Sequence, residues 1–179
     1  MDKLVTRVTW STRQAGDVGL LLGTGLISDA IIKGEQLAGE GTDGTWWSHA
    51  FIVSNGSILE AIYPKISLSP WNVYDDQVTA VFRINAAAQL KQTALLDLIH
   101  EYVGKGYDLT GCALGMASLE IMRALHIEAE NNPFANQHKE WCSELATRYI
   151  EKLLPDPAKP STTDPQAVYN YLNSLVYYG

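Results

Sequence analysis

A β-hairpin is the feature that most constrains the fold of this chain. Two apolar runs, His49–Val53 and Ile58–Ile62, flank the tetrapeptide Ser54-Asn55-Gly56-Ser57. Asn-Gly is the strongest short hairpin signal, because both residues tolerate the positive φ angles that a tight turn requires. The sequence therefore predicts two adjacent antiparallel strands that join through Asn55-Gly56.

The register of this hairpin determines which side chains share a face. With Asn55-Gly56 as the turn, Phe51 lies opposite Glu60 and His49 lies opposite Ile62. Opposed residues share a face, as do residues two apart on one strand, so His49 and Glu60 are diagonal neighbours roughly 7–8 Å apart. A carboxylate there would fix the imidazole tautomer and stabilise the charged ring. A surface histidine and a surface glutamate on the solvated face of a sheet fit the same pattern.

The remaining patterns divide the chain into a strand-rich first half and a helical second half. Strands and helices segregated in this way are typical of an α+β domain, and one domain over residues 1–179 suits the length. The predicted strands are 17–22 and 78–84, with Pro64 and Pro70 in a connection. The predicted helices are 26–32, one from Ala86 to about Gly104, one after Asp108 or Thr110 that carries Cys112, 142–154, and one beginning at Thr163-Asp164-Pro165-Gln166.

A glycine-rich segment precedes the hairpin. Four glycines lie between Lys33 and Thr45 among charged and small residues. Long loops of this composition are often lids over functional sites. We therefore expect a flexible loop at about residues 33–46.

Composition excludes several classes of function. Hydrophobic residues make up 46% of the chain, which is enough for a core. The net charge of −7 argues against a nucleic-acid partner, because phosphate binding needs clustered Lys and Arg. The apolar stretch 18–27 is interrupted by glycines and is too short for an integral membrane segment. The N-terminus has no signal-peptide pattern, so we expect a cytoplasmic protein; a phage-delivered or effector protein would look the same.

Cys142 is the stronger candidate nucleophile of the two cysteines. Leu145, Ala146, Tyr149 and Ile150 follow it at helical spacing, which places Cys142 at the start of a helix on its inward face. A thiol there meets unpaired N–H groups and the positive end of the helix dipole, both of which favour the thiolate. A small buried apolar residue is the structural alternative.

Cys112 and the other histidines are weaker candidates. Cys112 lies in an apolar helical stripe with Met116, Leu119 and Met122, which favours a core cysteine. A zinc site needs four convergent ligands, and only Cys142, His49 and Glu60 can be named, so we predict no metal and no cofactor. The remaining histidines share no zinc-like spacing with either cysteine: His100, His126 and His138.

Several motifs together resemble a known family. They are Gly16-Asp17-Val18 opening a strand, Ser48-His49-Ala50-Phe51-Ile52-Val53 before a Glu-bearing strand, Gly106-Tyr107-Asp108 before a helix, and Trp141-Cys142-Ser143-Glu144-Leu145. In this order they are similar to the circularly permuted papain-like cysteine hydrolases, the YiiX-like branch of the NlpC superfamily. The resemblance spans about residues 15–175. It implies a permuted papain-like fold, with a small antiparallel sheet or partial barrel packed against helices.

The resemblance also implies roles for individual residues. Cys142 would be the nucleophile, His49 the general base and Glu60 the residue that orients the imidazole. The expected substrate is a peptide or an acyl compound cleaved at an amide, ester or thioester bond. Tyr107 is a candidate second oxyanion donor or a wall of the cleft. Trp47 has no counterpart in the family pattern. Its residue type alone makes it a candidate substrate contact, because a tryptophan stacks on a sugar or covers an acyl chain, although packing is the commoner role.

Two functions therefore remain open from the sequence. One is a cysteine hydrolase or acyltransferase that works through an acyl-enzyme. The other is a catalytically silent binding or structural module on the same fold, for example in a phage or secretion assembly.

Overall fold

Six antiparallel strands form one open sheet in the computed structural model, which describes residues 3–38, 44–110, 112, 141–154 and 164–178. The strand order is β1-β6-β2-β3-β4-β5, so β1 and β5 are the edges. The strands are β1 Val5–Val8, β2 Asp17–Leu21, β3 His49–Ser54, β4 Ser57–Ile62, β5 Lys65–Pro70 and β6 Thr79–Ile84.

Four α-helices accompany the sheet in the described residues, which confirms the α+β class. Helix α3 packs on β3, α4 packs on β1, and α2 packs on α3. The main core lies between these helices and one face of the sheet, with Leu20, Ile52 and Phe82 fully buried in it. The helices are α1 Leu26–Ala38, α2 Ala88–Tyr102, α3 Cys142–Leu153 and α4 Pro165–Tyr178, and a short 3-10 helix spans Trp10–Thr12.

The predicted hairpin is confirmed. Phe51 pairs with Glu60 and Ser54 pairs with Ser57, and Gly56 has a φ of 71° in the turn. The predicted start of α4 is also correct: Asp164 caps it, because its Oδ1 accepts the Ala167 N–H at 2.6 Å. The helix predicted after Asp108 or Thr110 starts as expected, since residues 109, 110 and 112 are helical, and the rest of it lies outside the described residues.

The loop prediction is wrong for residues 33–38, which continue α1. Gly34 within a helix costs about 1 kcal/mol relative to alanine, so local propensity favours an earlier end. A tertiary contact explains the longer helix. Glu35 is buried and its Oε1 accepts the backbone N–H of Gln166 at 3.2 Å, which ties α1 to the start of α4. Residues 39–43 lie outside the described ranges.

Two edge strands were absent from the sequence prediction. Segment 65–70, interpreted as a connection between Pro64 and Pro70, is strand β5, and it pairs with β4 along its whole length. Proline is tolerated at the ends of edge strands, where a missing N–H leaves no broken ladder. Strand β1 has four residues and pairs with β6, and its pattern is too short for a period-two signal.

Candidate active site

The hairpin brings His49 and Glu60 together. His49 begins β3, and its Nε2 lies 2.7 Å from Oε2 of Glu60 in the middle of β4. The Glu60 side chain is 1% exposed and the His49 side chain is 12% exposed. The diagonal arrangement inferred from the turn thus places a buried carboxylate against one nitrogen of the imidazole.

Glu60 has two further hydrogen-bond donors. The Tyr74 hydroxyl, in the loop between β5 and β6, donates to the same Oε2 that meets His49. The Ser69 side chain on β5 also hydrogen-bonds the carboxylate. Burial alone would raise the pKa of Glu60, but these bonds and the His49 charge outweigh it and the pKa is lowered. Glu60 is therefore an anion at neutral pH.

Sequence reasoning missed both of these donors. Tyr74 lies in a loop that carries no periodic pattern, and the sequence does not predict β5 as a strand. A usable signal is present in Ile66-Ser67-Leu68-Ser69, where serines alternate with apolar residues at the period of a strand with one polar face.

Cys142 is the first residue of α3, and the start of this helix is well fixed. The Glu144 side chain accepts the backbone N–H of Trp141 at 3.2 Å, and Trp141 Nε1 donates to the Ser143 hydroxyl at 2.8 Å. Leu145, Ala146 and Tyr149 anchor the helix in the main core. The Cys142 sulfur is therefore held at the N-terminal end of α3. The backbone N–H groups of the first helical turn point toward this end and have no hydrogen-bond partner within the helix.

The imidazole of His49 links the two sides of the site. It hydrogen-bonds Cys142 as well as Glu60. Because Nε2 is bonded to Glu60, Nδ1 is the ring nitrogen available to the sulfur. Burial by itself lowers the pKa of His49, but the charge and hydrogen bond of Cys142, together with those of Glu60, raise it from 6.5 to about 10. His49 is therefore protonated at neutral pH, with the Glu60 carboxylate on one side of the ring and the Cys142 sulfur on the other.

A cleft of about 230 Å³ opens onto this pair. Helix α1, the segment before β3 and the loop before β6 form its walls. The lining side chains around His49 and Cys142 are uncharged aliphatic, hydroxyl, amide and aromatic groups: Leu21, Thr24, Ser28, Ile31, Ser48, Ile62, Tyr74, Gln77 and Tyr107.

Tyr107 lies in the wall of the cleft. Its backbone N–H donates to the Pro64 carbonyl at 2.9 Å, and its hydroxyl donates to the Cys112 sulfur at 3.3 Å. Burial and the nearby Cys142 and Cys112 raise its pKa. Tyr107 therefore stays protonated, but its hydrogen is directed at Cys112, and it would have to leave that sulfur to act as an oxyanion donor.

Trp47 lies in the core and is not among the residues that line the cleft. Its ring packs on Tyr169 at 5.3 Å between centroids, and its backbone N–H donates to Gln166 Oε1 at 3.2 Å. These contacts with α4 turn the side chain away from the cleft. The structure thus does not support Trp47 as a substrate contact, and packing is its observed role.

Cys112 is buried, as its apolar stripe suggested. Burial and the electrostatic interaction with Cys142 raise the pKa of Cys112 to about 12, which leaves the thiol protonated at neutral pH. His100 is exposed on α2, whereas His126 and His138 lie outside the described residues. Within the described ranges, no three histidine, cysteine or acidic side chains are grouped to hold a metal ion.

The sequence matches no protein-family model and no curated protein. Across the described part of the chain, no helix combines the length and apolar character needed to cross a bilayer.

Proposed function

We propose that this protein is a cysteine hydrolase or acyltransferase that cleaves an amide, ester or thioester bond. The observation that carries the proposal is the continuous hydrogen-bonded chain Cys142–His49–Glu60 at the floor of a cleft, with the sulfur on the first residue of a helix. A nucleophile, a base and a residue that orients the base are the components of covalent acyl transfer.

The proposed fold family is the permuted papain-like one, in the YiiX-like branch of the NlpC superfamily. Two observations support it. The histidine-bearing strand precedes the cysteine-bearing helix in the chain, and the helix packs directly on that strand. An open antiparallel sheet with the nucleophile helix against it is compatible with that arrangement.

The mechanism follows from the geometry. With the proton already on His49, in line with its raised pKa, the Cys142 sulfur attacks the carbonyl carbon as a thiolate, and the carbonyl π electrons move to oxygen. The resulting oxyanion lies near the N–H of Cys142, which the helix does not use. When the carbonyl re-forms, the bond to the leaving group breaks, and the departing amine, alcohol or thiol takes the proton from His49.

The second half-reaction regenerates the enzyme. Water, or an acceptor alcohol or amine in an acyltransferase, gives a proton to His49 and attacks the thioester. The carbon–sulfur bond breaks, and the sulfur leaves as a thiolate beside the protonated His49, which restores the starting state. Glu60 keeps the imidazole oriented and stabilises its positive charge in both halves.

The two cysteines provide a matched test. Because the Cys112 pKa is about 12, only about one Cys112 thiol in 10⁵ is ionised at pH 7, and only the thiolate is nucleophilic. We expect a thiol-directed probe to label the wild-type protein and Cys112→Ala rapidly, and Cys142→Ala at least ~100-fold more slowly. Mass spectrometry of the labelled peptide identifies the site.

Turnover is measured on the same three proteins with an ester, a thioester and a peptide amide that share one acyl group. Activity in wild type and Cys112→Ala, and its loss in Cys142→Ala, is the expected result. Labelling of Cys112 instead, or full activity of Cys142→Ala, would contradict the proposal. Labelling without turnover of any substrate would favour the silent binding module.

A further inference from the structure

Tyr74 contacts the inner end of the proposed catalytic chain. Its hydroxyl donates to Oε2 of Glu60, and that oxygen is the one that faces Nε2 of His49. Both Tyr74 and Glu60 are almost fully buried, so water does not compete for this bond. One carboxylate oxygen therefore shares its negative charge between a phenol and an imidazole.

The aromatic ring of Tyr74 is fixed by its neighbours. It lies 5.1 Å from the Phe51 ring and 6.1 Å from the His49 ring, between centroids. Phe51 in turn lies over Gly19, where a side chain would meet the ring at 2.1 Å. Tyr74 therefore packs directly against the His49 ring and also hydrogen-bonds Glu60, the partner of that ring.

The loop that carries Tyr74 is anchored from the N-terminal segment. The Arg13 guanidinium stacks between Trp10 and Trp71, at 3.6 and 4.4 Å from their rings. It donates to the Trp71 carbonyl at 3.1 Å and to Asp75 Oδ1 at 3.2 Å. Trp10 Nε1 donates to the same Asp75 oxygen at 2.8 Å. The residue next to Tyr74 is thus held by two donors, which restricts the position of the hydroxyl.

We propose that Tyr74 is a positioning residue that acts through Glu60. It fixes the carboxylate and takes up part of its charge, so that His49 releases its proton to the leaving group more readily. Hydrogen bonds to a charged group are roughly twice as strong as neutral ones, so removal of this bond concentrates the negative charge on the remaining bond to His49. The effect on turnover rests on the proposed function, whereas the effect on His49 does not.

The test measures the titration of His49 by NMR. The ionisable groups that face it are Cys142 on α3, Glu60 on β4, Tyr74 in the loop and Tyr107 in the cleft wall. A Cys142→Ala background removes the sulfur, whose interactions with His49 are a major cause of the high His49 pKa, and is expected to bring the titration into a convenient range. His49→Gln assigns the resonance.

Tyr74→Phe retains the packed ring and removes only the hydroxyl. We expect it to raise the His49 pKa by about 0.5 or more, because the carboxylate loses a competing donor. Tyr149→Phe is the matched control, since it removes a buried hydroxyl that donates to the Gly16 carbonyl at 3.2 Å, and it leaves the His49 pKa unchanged. An unchanged or lowered His49 pKa in Tyr74→Phe overturns the inference.

A second substitution keeps the inference testable if Tyr74→Phe does not fold. Replacement of Tyr74 with 3-fluorotyrosine makes the phenol a stronger donor and is expected to lower the His49 pKa; a raised or unchanged value overturns the inference.

In the active enzyme, Tyr74→Phe should lower kcat about 3- to 10-fold with little change in KM, because protonation of the leaving group slows. Wild-type protein without turnover contradicts the proposed function alone, since the titration still decides the role of Tyr74.

Discussion

The two faces of the central sheet carry different kinds of side chain. The helix-covered face buries aliphatic and aromatic side chains, such as Leu20 and Ile52, against α2, α3 and α4. The opposite face has a smaller apolar cluster around Phe51 and carries the buried carboxylates of Asp17 and Glu60. Successive residues of a strand point to opposite faces, so neighbouring residues of one strand belong to different environments.

Multiple donors make the buried carboxylates tolerable. An unpaired charge in the interior is strongly destabilising, whereas a paired and hydrogen-bonded one is not. Arg83 donates to both oxygens of Asp17, at 3.0 and 2.8 Å, and Glu60 has His49, Tyr74 and Ser69. We infer that the helix-covered face mainly determines stability, while the opposite face mainly determines the chemistry of the site.

Leu20→Ala tests the helix-covered face and has the largest expected effect on stability. Leu20 is fully buried among the helices, so its truncation removes apolar contacts and leaves a cavity, at a cost of about 2–5 kcal/mol in the free energy of unfolding. Urea denaturation measures this loss. The rate at which a thiol probe labels Cys142, per folded molecule, should stay within about twofold of wild type, because the Leu20 side chain points into the helix-covered core, on the opposite face of the sheet from His49. A large drop in the labelling rate would contradict the inference that the two faces have separate roles.

Gly19→Ala tests the opposite face at the adjacent position. A Cβ on Gly19 would lie 2.1 Å from the Phe51 ring, so the ring must move, and overpacking of this kind costs about 1–3 kcal/mol. Phe51 packs on Tyr74 and His49, so its displacement should slow Cys142 labelling about 10-fold, more than Leu20→Ala does. Urea denaturation measures the loss of stability in Gly19→Ala and Leu20→Ala, and the labelling rate per folded molecule measures the effect on the site. Equal labelling rates in the two variants would contradict separate roles for the two faces.

The helix-covered face and the hairpin could be predicted from the sequence because their signals are local. Asn55-Gly56 determines the register that pairs Phe51 with Glu60, and helical spacing places Cys142 at the start of α3. These signals need no knowledge of distant residues.

The hydrogen bonds that hold the Glu60 carboxylate could not be predicted, because they depend on contacts between distant segments of the chain. Tyr74 reaches the carboxylate through a loop held by Arg13, and the loop and Arg13 have no shared sequence pattern. The same reason explains the wrong end of α1, where Glu35 meets Gln166 far along the chain. It also explains Trp47, whose position depends on packing against Tyr169.

The pH dependence of stability provides the finest test, because it isolates the charges of the opposite face. The His49 pKa is raised from 6.5 to about 10, so its contribution is fully present below pH 6.5 and is lost as the pH rises through about 10. The Glu60 pKa is lowered from 4.5, so its contribution is present above pH 4.5 and is lost as the pH falls. Both contributions are therefore complete only between about pH 4.5 and 6.5.

Glu60→Gln keeps the shape of the side chain and removes its charge. We expect wild type to exceed this variant in unfolding free energy most between pH 4.5 and 6.5, with the difference decreasing on both sides by at most about 1.4 kcal/mol per pH unit. Urea denaturation from pH 3 to 10 measures it, and Leu20→Ala is the control, because its deficit arises from lost packing and should be constant with pH. A constant difference for Glu60→Gln would mean that the opposite face, like the helix-covered one, stabilises the protein by packing alone.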